Sequence, residues 1–155
     1  MAPGADIDHR GTHFTEPLLT SLLHALHDPT TQKPHLGTAQ FDGAQFSGTA
    51  QFREVQFSGD AKFGRGQFSG AAQFSGDAWF NGVQFSGDAK FGWAQFSGDA
   101  KFDKAQFSGD TEFHGAQFSG TAQFDEAQFS CHARFSEAQF SGTAWFGRAQ
   151  FSSGA

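Results

Sequence analysis

The residues here whose types could do chemistry are seven histidines, one cysteine and a series of Ser-Gly-Asp triplets. His9, His13, His24, His27 and His35 crowd the start of the chain, and His24 and His27 are three apart, close enough to share a helix face. A zinc site needs ligands that converge with a thiolate or a supporting acid. No cysteine is near, so these read as solvated histidines, and no metal or cofactor is expected. Cys131-His132 sets a thiol beside an imidazole, but nucleophilic catalysis needs an oriented base as well, and the pair occurs once with no second base. Calcium-binding solenoids require G-G-x-G-x-D with several converging oxygens. A single Asp per triplet reads instead as turn chemistry, its carboxylate accepting local backbone N–H groups. No catalytic residue is assigned, and the chain is not expected to be an enzyme.

The elements that must carry these residues are dictated by phenylalanine. It recurs from Phe41 to Phe151 at steps of five and six, and two positions before each Phe stands a small residue: Ala seventeen times, otherwise Val55, Val83, Gly66 or Thr111. Alternate residues of a strand point to one side, so Ala-x-Phe reads as a short strand facing a continuous core. A helix needs apolar residues at steps of three and four. Between strands come Ser-Gly-Asp, Ser-Gly-Thr or a polar pair such as Asp103-Lys104, with Gly expected to take the positive φ of a tight corner. Strand and corner at fixed period predict an all-β solenoid. Its core ladder is Phe46, Phe57, Phe68, Phe85, Phe96, Phe107, Phe118, Phe129 and Phe140. The rhythm slips once, around Phe68 and Phe74, which is expected to shift every later long corner by one face.

The Ala-x-Phe register over residues 39–151, clearest in AQFSGDAKFGW and AQFSGDAKFDK, resembles the pentapeptide-repeat proteins. That resemblance implies a right-handed quadrilateral β-helix. The chain departs from the family pattern in giving every second unit a sixth residue. A five-plus-six pair could therefore close a flat two-sided coil of 11 by itself, or form half of a four-sided coil of 22. A coil of 22 stacks Lys90, Glu112 and Arg134 in alternating sign, and likewise Lys104, Glu126 and Arg148. A coil of 11 puts Lys90 on Lys101, Glu126 on Glu137, and lines up Asp77, Asp88, Asp99 and Asp110. Opposite charges on adjacent strands contribute about 0.2–1 kcal/mol each and like charges oppose, which favours about 22 residues per coil.

Thr15-Glu16-Pro17 before LLTSLLHALHD predicts one helix from about 16 to 27, with Thr15 as N-cap and a stripe of Leu18, Leu19, Leu22, Leu23 and Leu26. A lone helix of that length is marginal in water, so residues 1–38 are expected to cap the first coil of a solenoid spanning 39–155. The single cysteine excludes an intrachain disulfide and suits a reducing compartment. Residues 1–13 show no signal-peptide core and no stretch approaches membrane length, so the cytoplasm is the expected location.

Function must then come from the surface. The Gln residues preceding Phe, at 45, 56, 67, 84, 95, 106, 117, 128, 139 and 150, point outward and are expected to bond along the axis as an amide ladder. Trp79, Trp93 and Trp145 are expected outside as candidate partner anchors, Trp79 and Trp145 on one face. Family resemblance implies a second function, binding DNA gyrase by imitating duplex DNA. Five coils, about 25 Å, would then imitate about 15 phosphate charges. Residues 39–151 hold twelve acids against eight Lys plus Arg, net −4. A non-catalytic scaffold or protein-interaction module is therefore preferred, with gyrase binding as the alternative and no direct nucleic-acid or membrane binding. Nothing after Phe151 can cover a coil, so self-association as a homodimer is expected through the edge at Phe140, Phe146 and Phe151.

Overall fold

The structure, a computed structural model, describes residues 1–47, 50–63 and 72–152. Gly66, Gln67 and Phe68 of the expected repeat lie outside the described residues.

From Ala44 on, each described unit of a small residue, x and Phe forms a two-residue strand, paired in parallel with an equivalent unit of the neighbouring coil. The pairs fall into four columns. The first holds Gln45–Phe46, Gln73–Phe74, Gln95–Phe96, Gln117–Phe118 and Gln139–Phe140. The second holds Ala50–Gln51, Ala78–Trp79, Ala100–Lys101, Ala122–Gln123 and Ala144–Trp145. In the third are Gln56–Phe57, Gln84–Phe85, Gln106–Phe107, Gln128–Phe129 and Gln150–Phe151. The fourth runs Ala61–Lys62, Ala89–Lys90, Thr111–Glu112 and Ala133–Arg134. Stacked parallel strands with one short helix make a repeat β-solenoid.

From Gln73 onward, partners are 22 apart in sequence, as in Gln84 with Gln106 and in the bond between Asp99 and Asp77. Across the slip they are 28 apart, as in Gln56 with Gln84 and Asp60 with Asp88. The Phe63 carbonyl accepts from Ala72 N, nine positions on, whereas the Phe52 and Phe80 carbonyls accept from Val55 N and Val83 N, three positions on. This corrects the expected shift of later corners. Asp88 still stacks on Asp60, so the ladders keep their register on both sides of the slip.

Register is kept by the rings. Within the first column Phe46, Phe74, Phe96, Phe118 and Phe140 lie parallel with centroids 4.7–4.8 Å apart, and the rings meet those of neighbouring columns edge-on or tilted. Offset-stacked and edge-to-face rings add about 0.5–1.5 kcal/mol per pair beyond burial. Among the described residues the small residue two positions before a Phe, such as Ala78 or Ala100, is buried as far as Ala133 and makes room for them.

Strand pairing begins well before Ala39. Strand β1 (Ala5–Asp8) lies parallel to β4 (Lys33–Gln40), with Ile7 opposite Ala39. Strand β2 (His13–Phe14) starts the first column, its Phe14 ring stacked on Phe46. Helix α1 (Glu16–Ala25) has the expected N-cap, Thr15 Oγ1 accepting from Leu18 N at 3.4 Å, and buries Leu19, Leu22 and Leu23 beside the second column. It stops at Ala25, short of the expected end, because His27–Asp28, strand β3, pairs antiparallel with Lys33 and Pro34. Strand β4 then pairs with both the third and fourth columns.

Candidate interaction surfaces

In the described coils from Ala44 on, what lies outside the ring core is a corner or an outward strand position. The positive φ expected of the Ser-Gly-Asp glycines lies elsewhere. It falls on the second residue of the short corners, where Glu54, Trp93, Lys104, Glu126, Glu137 and Arg148 sit at φ 55–62° alongside Gly43, Gly82 and Gly115. The triplet glycines answer a different constraint: a Cβ on Gly109 would meet the Gly87 carbonyl carbon at 2.6 Å, so coils can approach there only without a side chain. Cys131 stands in this glycine column and is half-buried with a free thiol.

The triplet aspartates also reach further than expected. Instead of local N–H groups, each carboxylate accepts from the backbone of the next coil: Asp60 Oδ1 from Asp88 N at 3.0 Å, Asp88 from Asp110 N at 2.9 Å, Asp77 from Asp99 N at 2.9 Å and Asp99 from Thr121 N at 2.8 Å. Acidic stacks therefore exist at the observed register too, and Lys62 pairs with Lys90. Charge-assisted N–H bonds offset the like-charge contact. At the foot of the column His132 Nδ1 meets Asp110 Oδ1 at 3.2 Å, and that hydrogen bond holds the Asp110 carboxyl below its usual range. A second ladder joins Asn81 Nδ2 to Asp103 Oδ2 (3.1 Å) and Asp125 N to Asp103 Oδ1 (3.2 Å). Burial pushes the Asp103 carboxyl up, as it does the buried Asp42.

The alternating ladders stand in register. Lys90, Glu112 and Arg134 pair in the fourth column, with Arg134 Nη1 at 3.9 Å from Glu112. At the corner before the third column, Arg148 Nη2 donates to Glu126 Oε1 at 2.8 Å. Lys104, Glu126 and Arg148 form one wall of an open groove of about 350 Å³ whose other side is Gln106, Gln128 and Gln150.

The outward glutamines do not form the expected ladder. Among the described residues one Gln–Gln bond joins neighbouring coils, Gln56 Nε2 to Gln84 Oε1 at 3.4 Å. The amides of Gln84, Gln106, Gln128 and Gln150 otherwise present an uncharged strip along the third column.

The tryptophans divide. Trp79 is half-buried, with the Arg53 guanidinium 4.1 Å and the Lys101 ammonium 5.4 Å from its ring centroid, so cations from two coils occupy it. Trp93 lies over Gly115 with His114 edge-on at 5.2 Å. Trp145, in the same column as Trp79, is 53% exposed. The ladder positions Phe46, Phe57, Phe85, Phe96, Phe107, Phe118 and Phe129 are buried and Phe140 is partly so, whereas Phe146 and Phe151 are 37% and 41% exposed.

The histidines are dispersed. His9 packs edge-on to Phe14, His13 bonds Ser47 Oγ at 3.0 Å, and His35 faces Asp28 at 3.8 Å. His24 lies in the last turn of α1 and His27 in β3. Among the described residues no three His, Cys, Asp or Glu side chains gather as a metal site, and no helix is long and apolar enough to cross a membrane. The Arg53 cover of Trp79 and the left-handed corner residues escaped the sequence reading, although the latter share one signal: each stands two positions after a Phe and one before Ala or Val.

A family model described as pentapeptide repeats, in nine copies, matches residues 71–117 and 113–155, more than half of the chain. No curated protein and no solved structure matches the chain. With Ala-x-Phe units stacked as parallel strands around a ring core and the repeat recognised over its second half, the chain belongs to the pentapeptide-repeat family.

Proposed function

We propose that the protein is a non-catalytic scaffold or protein-interaction module of the cytoplasm, built as the family's right-handed quadrilateral coil. The observation that carries this reading is the repetition of the outer surface. Every strip and ridge recurs coil after coil, and the polar side chains bond backbone or neighbouring ladder members instead of converging on one point. Strand partners 22 apart in four columns support a four-sided coil, and scattering tests it: five such coils make a rod about 25 Å tall, a two-sided coil about 50 Å. For the interaction role, the test is crosslinked capture from lysate by wild type and by a folded Trp93→Ala/Trp145→Ala variant. A discrete protein retained by the first and lost by the second is expected; identical retention overturns the role of these anchors.

Gyrase binding is the second reading, favoured by the acidic stacks Asp60–Asp88–Asp110 and Asp77–Asp99. Lys90, Lys101, Lys104, Arg134 and Arg148 stand on the neighbouring strand faces and corners, which is why it ranks second. Inhibition of supercoiling that weakens with added salt would promote it.

The same reading assigns the coil edge at Phe140, Phe146 and Phe151 to homodimer contact, supported by its exposed rings. Phe146→Lys/Phe151→Lys should lose this end contact and sediment more slowly than wild type at micromolar concentration. A wild type that is itself monomeric at high micromolar concentration overturns it.

A further inference from the structure

We infer that the glutamine strip of the third column is an interface for a second copy of this chain, packed side by side and antiparallel. This goes beyond the end contact above and does not depend on it. The strip runs through Gln84, Gln106, Gln128 and Gln150, all exposed, and no hydrogen bond joins any two of these four. Its two borders carry charge in a particular order. On one side, left-handed backbone turns Lys104, Glu126 and Arg148 beside the strip, where they wall the groove with Gln106, Gln128 and Gln150. On the other, Asp110 is followed one coil on by His132.

Both borders are self-complementary about the same axis. Consider a twofold axis lying in the plane of the strip, at right angles to the coil stack, midway between the levels of Gln106 and Gln128. It sets Gln106 opposite the partner's Gln128 and Gln84 opposite the partner's Gln150. On the first border Lys104 then faces the partner's Glu126, and Glu126 the partner's Lys104. On the second, Asp110 faces the partner's His132 and the reverse. At the next level out, Arg148 faces the partner's Gly82, so this border opposes no like charges. Such an isologous contact closes as a dimer. The alternating sign that stabilises each ladder within one chain makes it complementary to its own inverted copy, and the agreement of the two borders on one axis is what identifies the occupant.

Four levels at about 4.8 Å each make a short contact, of the class that buries under about 1,200 Å² and binds weakly. The test is sedimentation of the full chain up to millimolar concentration, at low and high salt, in wild type and in the Phe146→Lys/Phe151→Lys background that removes the end contact. Both should form the lateral dimer, and its dissociation constant should rise at least tenfold with Lys104→Glu or Glu126→Lys alone, since each sets like charges across the axis. Mixing those two variants should restore dimerisation as a heterodimer. The glutamate introduced in one chain then meets the lysine introduced in the other, while the native Glu126 of the first meets the native Lys104 of the second. A destabilised stack could mimic the single-variant loss but not the rescue. The inference is overturned by a chain lacking the end contact that stays monomeric throughout, by a lateral dimer indifferent to salt and to both charge reversals, or by variants that fail to rescue each other.

Discussion

The first coil and the coil of Phe146 and Phe151 differ in what covers their rings. At the start, Ile7, Phe14, Leu19, Leu26 and Leu36 are buried by non-repeating pieces: two short strands, a helix and a β3–β4 hairpin. At Phe146 and Phe151, where the repeat continues unchanged, rings of the type buried to 0–1% in the middle coils are 37–41% exposed. A repeat unit supplies the surface on which the next unit stacks, but it cannot cover itself. Covering requires a sequence that breaks the pattern, and TEPLLTSLLHALHD breaks it, with Leu19, Leu22 and Leu23 of its helix buried.

The largest effect should come from erasing this contrast. Deleting residues 1–38 uncovers Phe41, Phe46 and Phe52 together with strand edges of three columns, and the truncated chain should associate and lose its cooperative melt. Light scattering and thermal unfolding check this. A monomer with unchanged melting would show that residues 1–38 do not act as a cap.

Single rings sharpen the same comparison. Phe102 is fully buried between Phe80 and Phe124, stacked at 4.8 and 5.0 Å. Phe102→Ala should cost about 3–5 kcal/mol. Phe146 stacks on Phe124 alone within its column, so Phe146→Ala should cost less than half as much in denaturant titration. Equal losses would mean the exposed coil is covered in solution.

Backbone contact gives a smaller contrast. Gly109→Ala sets a methyl 2.6 Å from the Gly87 backbone with coils stacked on both sides, an overpacking cost of about 1–3 kcal/mol. Gly142→Ala meets Gly120 in the same way, but its coil can move away, so the loss measured by thermal unfolding should be smaller.

These contrasts show what was legible. The core could be read because one rule, a small residue two before each Phe, fixes face, register and stacking together, and the opposite-charge ladders point to the same register. The corners could not. Ser-Gly-Asp looks like a left-handed turn, yet the left-handed residues include Lys104, Glu126 and Arg148, because the short corner has only two residues in which to turn. The triplet glycine instead reflects how closely coils approach, a distance no single unit displays. Likewise the carboxylates bond one coil away, and Arg53 finds Trp79, 26 residues on in sequence. Such contacts join side chains from different coils, at positions the repeat rule leaves free. The first-coil strands at Ala5–Asp8 and His13–Phe14 were missed although Ala5-Asp6-Ile7 and Thr12-His13-Phe14 each set a small residue two before a large apolar one, because neither stands five or six residues from a Phe of the repeat.

The smallest effect should be a gain. Asp103 is half-buried, stacked between Asn81 and Asp125, and burial raises its carboxyl pKa while the Asp125 N–H bond pulls the other way. A carboxyl whose folded pKa lies above its unfolded value binds protons more readily in the folded state, so its contribution is favourable at low pH and is lost as pH rises through the folded pKa. Asp103→Asn keeps an oxygen for Asp125 N and removes the charge. Once the Asn81 amide turns over, it also offers an N–H to Asn81 Oδ1, which is buried without a hydrogen-bond partner. The variant should therefore melt slightly higher than wild type at pH 7, with the difference shrinking as pH falls through the carboxylate range. In the middle of the stack, coils on both sides keep water from the charge, a cost that an end coil would escape. A gain that persists undiminished at acid pH would show that amide bonding to Asn81, not relief of the charge, is responsible.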